Sequence, residues 1–212
     1  MSTKSGRLRA MAQKTRSEAK GRPRLFDPDL ALQCALKVFL KKGYEGASLS
    51  DLTQAMGINR PSLYAAFGDK RSLFHKALER YSEGSAHYLR DALQEKTSRR
   101  VAEALLQGAA RFQTDPGNPP GCLAVNGALV CGEDAQCVRK ELISWRSRAE
   151  ELIAQRLKQA KVSGDLPSSA NTADLARFLT SVIYGMSVRA ASGASRAELM
   201  RIAKTALQAW PR

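Results

Sequence analysis

The sequence predicts an all-α fold: a small three-helix unit of helix-turn-helix type, followed by a larger helical region. Three observations carry the prediction. Residues 48–67 read as two short helices joined by a tight turn at Gly57. The rest of the chain repeats apolar residues at helical spacing, with no convincing period-2 strand pattern. An apolar fraction of 43% across 212 residues is enough to build a core.

The elements follow in order. Asp27-Pro28 opens the first helix with an acidic cap and a proline in the first turn. Leu32, Ala35, Leu36, Phe39 and Leu40 form its apolar stripe, and Lys41 and Lys42 suit its C-terminal dipole before Gly43 ends it. Cys34 within it reads as a small packing residue. Ser48 with Asp51 resembles a capping box, and Leu49, Leu52 and Met56 face inward. Asn59 caps the next helix, Pro61 sits in its first turn, and Leu63 and Phe67 pack back on its neighbour. Gly68 stops it, and Asp69 caps a longer helix over about 70–94. Further helices are expected near 98–113, 121–131, 135–161, 171–192 and 195–209, with firm breaks at 115–121 and 163–167.

Charge narrows the partner. The formal net charge is +14, and residues 1–24 hold eight basic residues against Glu18 alone. Such a balance favours a polyanion, nucleic acid before an anionic membrane surface. The arm at 1–24 has too few large apolar residues to fold alone. It lacks the apolar core of a secretory signal, and no apolar run suits a membrane span, so a cytoplasmic, non-membrane protein is expected. The four cysteines show no Cys-x-x-Cys spacing, and His75 and His87 are the only imidazoles. No metal site and no cofactor are therefore expected.

The three helices spanning 27–67 make a unit whose last helix can enter the major groove of double-stranded DNA. Arg60, Pro61, Ser62 and Ala66 lie on or near the expected reading face. Arg60 suits a bidentate contact to guanine or a phosphate contact; both readings stand. Alanines at 65 and 66 can touch a thymine methyl or let the helix approach closely. Tyr64, Ser48 and Lys70 suit phosphate oxygens, against a half-buried ring for Tyr64 and a solvated charge for Lys70. Arg22 and Arg24 suit the narrow minor groove, against a solubilising tail.

Taken together, the basic arm, Phe39-Leu40-Lys41-Lys42-Gly43-Tyr44, the run from Ser48 through Met56-Gly57-Ile58, and the run from Pro61 to Phe74 resemble the TetR family of bacterial transcriptional regulators. The resemblance implies a homodimer, with a helix-turn-helix DNA-binding domain over 25–72 and a ligand-sensing and dimerisation bundle over 73–212. It also implies that the last two long helices form a four-helix dimer interface. Phe178, Val182 and Met186 on one, and Ile202 and Leu207 on the other, are its candidates; the alternative is that these stripes bury the monomer core. Dimerisation places two heads against half-sites roughly 34–36 Å apart. An unidentified small-molecule effector is implied, with Phe112, Trp145 and Tyr184 as candidate pocket walls.

Cys122 and Cys131 resemble the cysteines of a subgroup that senses oxidants or electrophiles. Cys122 is expected at a helix start, where the dipole favours thiolate. The alternative is an ordinary packed thiol. An enzyme is disfavoured, because no histidine follows His87 and no carboxylate pair has a telling spacing. A non-specific basic nucleic-acid binder remains the rival of another class, and it predicts no sequence preference and a steep loss of binding with salt.

Overall fold

The computed structural model describes residues 26–126 and 135–211, excepting the side chains of Ser85 and Ala86. Among these residues the fold is all-helical: α1 Pro28–Gly46, α2 Leu49–Met56, α3 Arg60–Phe67, α4 Lys70–Leu93, α5 Ser98–Gln113, α6 Leu123–Asn126, α7 Gln136–Val162, α8 Thr172–Ala191 and α9 Arg196–Gln208. In α1 the Asp27 carboxylate accepts from the Asp29 amide at 2.9 Å, and Pro28 takes the first turn. Gly43 interrupts α1 at φ 70, and a short helical segment continues to Gly46. The helix expected over 121–131 is a single described turn, Leu123–Asn126, and residues 127–134 lie outside the described residues.

α2 and α3 are fixed by local chemistry. The Ser48 hydroxyl accepts from the Asp51 amide at 3.0 Å, and the Asp51 carboxylate accepts from the Ser48 amide at 3.0 Å, closing the capping box. At the other end Gly57 adopts φ 65. Its amide donates to Gln54 O and the Ile58 amide to Thr53 O, which together make a Schellman turn. The Asn59 carboxamide then accepts from the Ser62 amide at 2.9 Å and starts α3. One glycine therefore sets the angle between α2 and α3.

Two clusters of buried side chains follow. The first gathers Phe39, Leu52, Leu63, Phe67 and, from α4, Leu73, Phe74, Ala77, Leu78 and Tyr81. Phe39 meets Phe74 edge-on at 5.0 Å, and Tyr44 meets Phe74 at 5.2 Å. The second gathers Leu105, Leu106, Ile153, Leu157, Leu179, Met186 and Leu199 from α5, α7, α8 and α9, with Trp210 just after α9. α4 belongs to both: its N-terminal half completes the head, and Tyr88, Leu89, Ala92 and Leu93 pack into the bundle. A Cβ at Gly108 of α5 would come within 2.8 Å of the Tyr88 ring, so the missing side chain lets α5 close on α4. Arg156 of α7 donates to the carbonyl of Leu93, the last residue of α4, at 3.0 Å and to that of Glu95 just beyond at 2.6 Å, anchoring the far end of that helix to the bundle.

A Cβ at Gly57 would meet nothing within 4 Å, so its role is conformational alone. Gly57→Ala is expected to lower stability by about 1–2 kcal/mol, the cost of a left-handed alanine. Gly57→Asn should lose less, and urea unfolding measures both.

Candidate nucleic-acid interface and bundle cavity

α3 turns Leu63 and Phe67 into the head and leaves Arg60, Pro61, Tyr64 and Ala65 outside. Tyr64 is 49% exposed, so its ring is not a core residue. The Arg60 guanidinium donates to the Ser50 hydroxyl at 3.1 Å, which lays its long side chain across the start of α2. Ser62 is half-buried at the edge of the face. Ala66, expected on that face, is half-buried and packs against the head's core; the exposed methyl belongs to Ala65. A helical step of 100° separates the two positions, and the stripe through Leu63 and Phe67 draws Ala66 inward.

Ser48 and Lys70 stand at helix starts, but their side chains already have partners. The Ser48 hydroxyl donates to Asp51 Oδ2 at 2.8 Å while it caps α2. Lys70 Nζ lies 4.6 Å from the centre of the Tyr44 ring and reaches the Glu45 carbonyl at 3.5 Å. Burial pulls the Lys70 ammonium below its ordinary pKa. Lys70 also ties the start of α4 to the end of α1. Arg22, Arg24 and Cys131 lie outside the described residues.

The Lys42 ammonium meets Asp51 Oδ1 at 2.7 Å. That bond, with those from Ser48, pulls the Asp51 carboxyl down to about 2. Asp51 therefore joins α1 to α2 in its ionised form at a site open to solvent on one side.

A cavity of about 260 Å³ opens between α4, α5, α7 and α8. Phe112, Trp145 and Tyr184 all line it. Tyr81, Tyr88 and Gln113 line it too, and sequence reading missed them as pocket residues. Tyr81 was legible only as part of a packing stripe. Gln113 had a signal: it continues the α5 stripe through Leu106, Ala109 and Ala110, where a polar side chain is out of place.

Cys122 also lines the cavity, and it is 8% exposed just before the four-residue α6. Burial pushes its thiol above the ordinary value, outweighing the nearby Tyr81 hydroxyl and the backbone amides of Val125 and Ala124. Burial thus opposes the thiolate that a helix start would favour.

On the outer side of the bundle, Phe178, Val182 and Ile202 line one groove between α8 and α9, with Arg201, Thr205 and Ala206. Met186, expected on the dimer face, is 0% exposed and belongs to the inner stripe with Leu179, Ile183 and Ala190. Leu207 is half-buried, packs against the same core cluster as Val182 and Ile202, and does not line this groove.

Comparison with known proteins agrees with this geometry. Residues 31–77 match the family described as bacterial regulatory proteins, tetR family, and residues 99–206 match the tetracyclin repressor-like C-terminal domain. The chain is 36% identical over 196 residues to the transcriptional repressor ComR of Escherichia coli K12, spanning 92% of this chain and 93% of that protein. It is 33% identical over 202 residues to the repressor BdcR of the same organism, spanning 94% and 96%. Among solved structures, a cysteine-substituted variant of the TetR family regulator CifR, in complex with 26-bp double-stranded operator DNA, is 40% identical with a TM-score of 0.86. That match covers 90% of this chain and all of the other.

With a head that presents α3 outward and both family models matched along its length, the chain belongs to the TetR family of bacterial transcriptional regulators. It is a DNA-binding regulator rather than an enzyme. Among the described residues no helix is long and apolar enough to cross a membrane.

The folded head favours ionised Asp51, so the contribution of this carboxylate to stability is fully present above about pH 4 and is lost as pH falls toward 2. Asp51→Asn is expected to lower the urea midpoint at neutral pH and to converge on wild type at about pH 2. A constant gap across that range would show that the carboxylate charge contributes nothing.

Proposed function

We propose that this protein is a cytoplasmic homodimeric repressor that holds a palindromic operator through α3 and releases it when a small molecule occupies the bundle cavity. The observation that carries the reading is the double membership of α4. Its first turns, through Leu73 and Phe74, are part of the head's core, while Tyr81 and Tyr88 further along the same helix wall the cavity. A ligand that separates α4 from α7 or α8 acts on the rod that carries the head. The ligand shifts the equilibrium only by its difference in affinity between the two head positions.

The α3 face supports DNA binding through Arg60, Pro61, Tyr64 and Ala65, with Arg60 the side chain suited to a guanine edge. Repression is supported by the names of ComR and BdcR, and a double-stranded operator by the complex of the CifR variant. The groove through Phe178, Val182 and Ile202 supports dimerisation, since it sets apolar side chains and small Ala206 on an outer face. Exposed Gly185 continues that face of α8 and suits close approach of a partner helix.

A thiol-switch reading gains less. The buried Cys122 thiol is held away from its reactive form, so oxidant sensing would first require the cavity to open.

Two substitutions separate the parts of this proposal. Arg60→Ala with Tyr64→Ala is expected to weaken binding to a selected palindromic operator at least about a hundredfold while leaving the dimer intact. Val182→Glu with Ile202→Glu should yield a folded monomer by sedimentation and lose operator binding in parallel. A variant that stays dimeric would remove the α8–α9 face from the interface. Retained operator affinity in the α3 variant would remove α3 as the reading element.

A further inference from the structure

Two polar atoms in the cavity wall are buried without a hydrogen bond of ordinary geometry among the described residues, and both point to what the cavity holds. Gln113 is 3% exposed. Its Nε2 donates to the Ile183 carbonyl at 3.1 Å, which fixes the amide orientation, since a flipped amide would set oxygen against oxygen. The remaining Oε1 therefore has no hydrogen-bond donor. Tyr81 is 6% exposed, and its hydroxyl makes no hydrogen bond of ordinary geometry, although the Cys122 thiol and the Leu123 backbone lie close enough to interact with it weakly. Its ring is held edge-on against Phe112 at 5.3 Å, so the hydroxyl cannot swing to solvent without breaking aromatic packing. A buried polar group left unpaired is unfavourable, and a cavity wall is where a ligand can supply the missing bonds.

The rest of the lining defines the remainder of the molecule. Tyr88, Phe112, Trp145, Leu152 and Ile183 make it mostly apolar and aromatic. A volume of about 260 Å³ suits a small molecule rather than a long chain. Arg148 is the charged residue in the lining, and no carboxylate is present to hold a cation. The lone pairs of Gln113 Oε1 repel an anion at the buried end.

We propose that the cavity binds a small, uncharged, mainly aromatic molecule bearing a hydroxyl or N–H group, which donates to Gln113 Oε1 and is met by the Tyr81 hydroxyl. The proposal names the class of effector for the site above and rests on that reading only for the consequence at the operator, not for the binding itself.

The test measures binding to the full-length dimer by calorimetry, with 4-ethylphenol and its hydroxyl-free isostere 4-ethyltoluene as probes. Wild type is expected to favour the phenol by at least about tenfold, the ordinary cost of stranding one buried acceptor. Gln113→Met and Tyr81→Phe keep side-chain size, and each is expected to bring the ratio toward one while leaving 4-ethyltoluene binding nearly unchanged. Persistence of 4-ethyltoluene binding shows that each variant is folded with its cavity intact. 4-Ethylbenzoate should bind more weakly than the phenol. Equal affinity for phenol and isostere, tighter binding of the benzoate, or no phenol binding at millimolar concentration would overturn the inference. Operator release is read separately: a phenol that binds with the expected discrimination but leaves the operator complex intact contradicts the effector-release function and not the chemistry of the site.

Discussion

The packing of Phe74 into the head is the constraint on which the rest of the structure depends. Phe74 sits near the start of α4, is fully buried, and is gripped by Phe39 and Tyr44 of α1. Lys70, one turn earlier, adds a cation over the same Tyr44 ring. This aromatic grip makes the first turns of α4 part of the DNA-reading unit. The same helix then runs on into the bundle, where Arg156 holds its far end. A helix held at both ends is a lever, and the position of α3 follows from the position of α4.

Around that lever, polar chemistry sets local geometry and apolar burial supplies stability. The capping box at Ser48, the left-handed Gly57 and the Asn59 cap each fix one angle of the reading motif. None of these solvated bonds is strong alone. Their value is directional, because they orient two eight-residue helices that are too short to hold their shape unaided. In the bundle the priorities reverse: polar groups are few, and the Gln113 and Tyr81 oxygens stand out because the neighbouring walls are apolar.

Much of this was legible in the sequence because the signals were local. Caps at Asp27, Ser48, Asn59 and Asp69 are chemical statements about residues three apart, and the structure contains each of them. Inward stripes such as Leu52 with Met56 and Leu63 with Phe67 were equally readable. What the sequence left open is which of two adjacent stripes on a helix faces a partner chain. Met186 and Phe178 look alike as apolar residues of α8, yet one is buried in its own subunit and the other exposed. Ala65 and Ala66 pose the same ambiguity on α3. The burial of the Cys122 thiol eluded sequence reasoning for another reason: desolvation depends on α4 and α7, distant in sequence.

The central claim is that two copies of α3, carried by their α4 levers, meet the same face of one duplex. Hydroxyl-radical footprinting of the full-length protein on an operator selected from a random-sequence pool tests it most directly. The account predicts two protected patches related by a dyad, with centres roughly 10–10.5 base pairs or a multiple of that apart, persisting at moderate salt. Uniform protection without a dyad, dissolving steeply as salt rises, would contradict it.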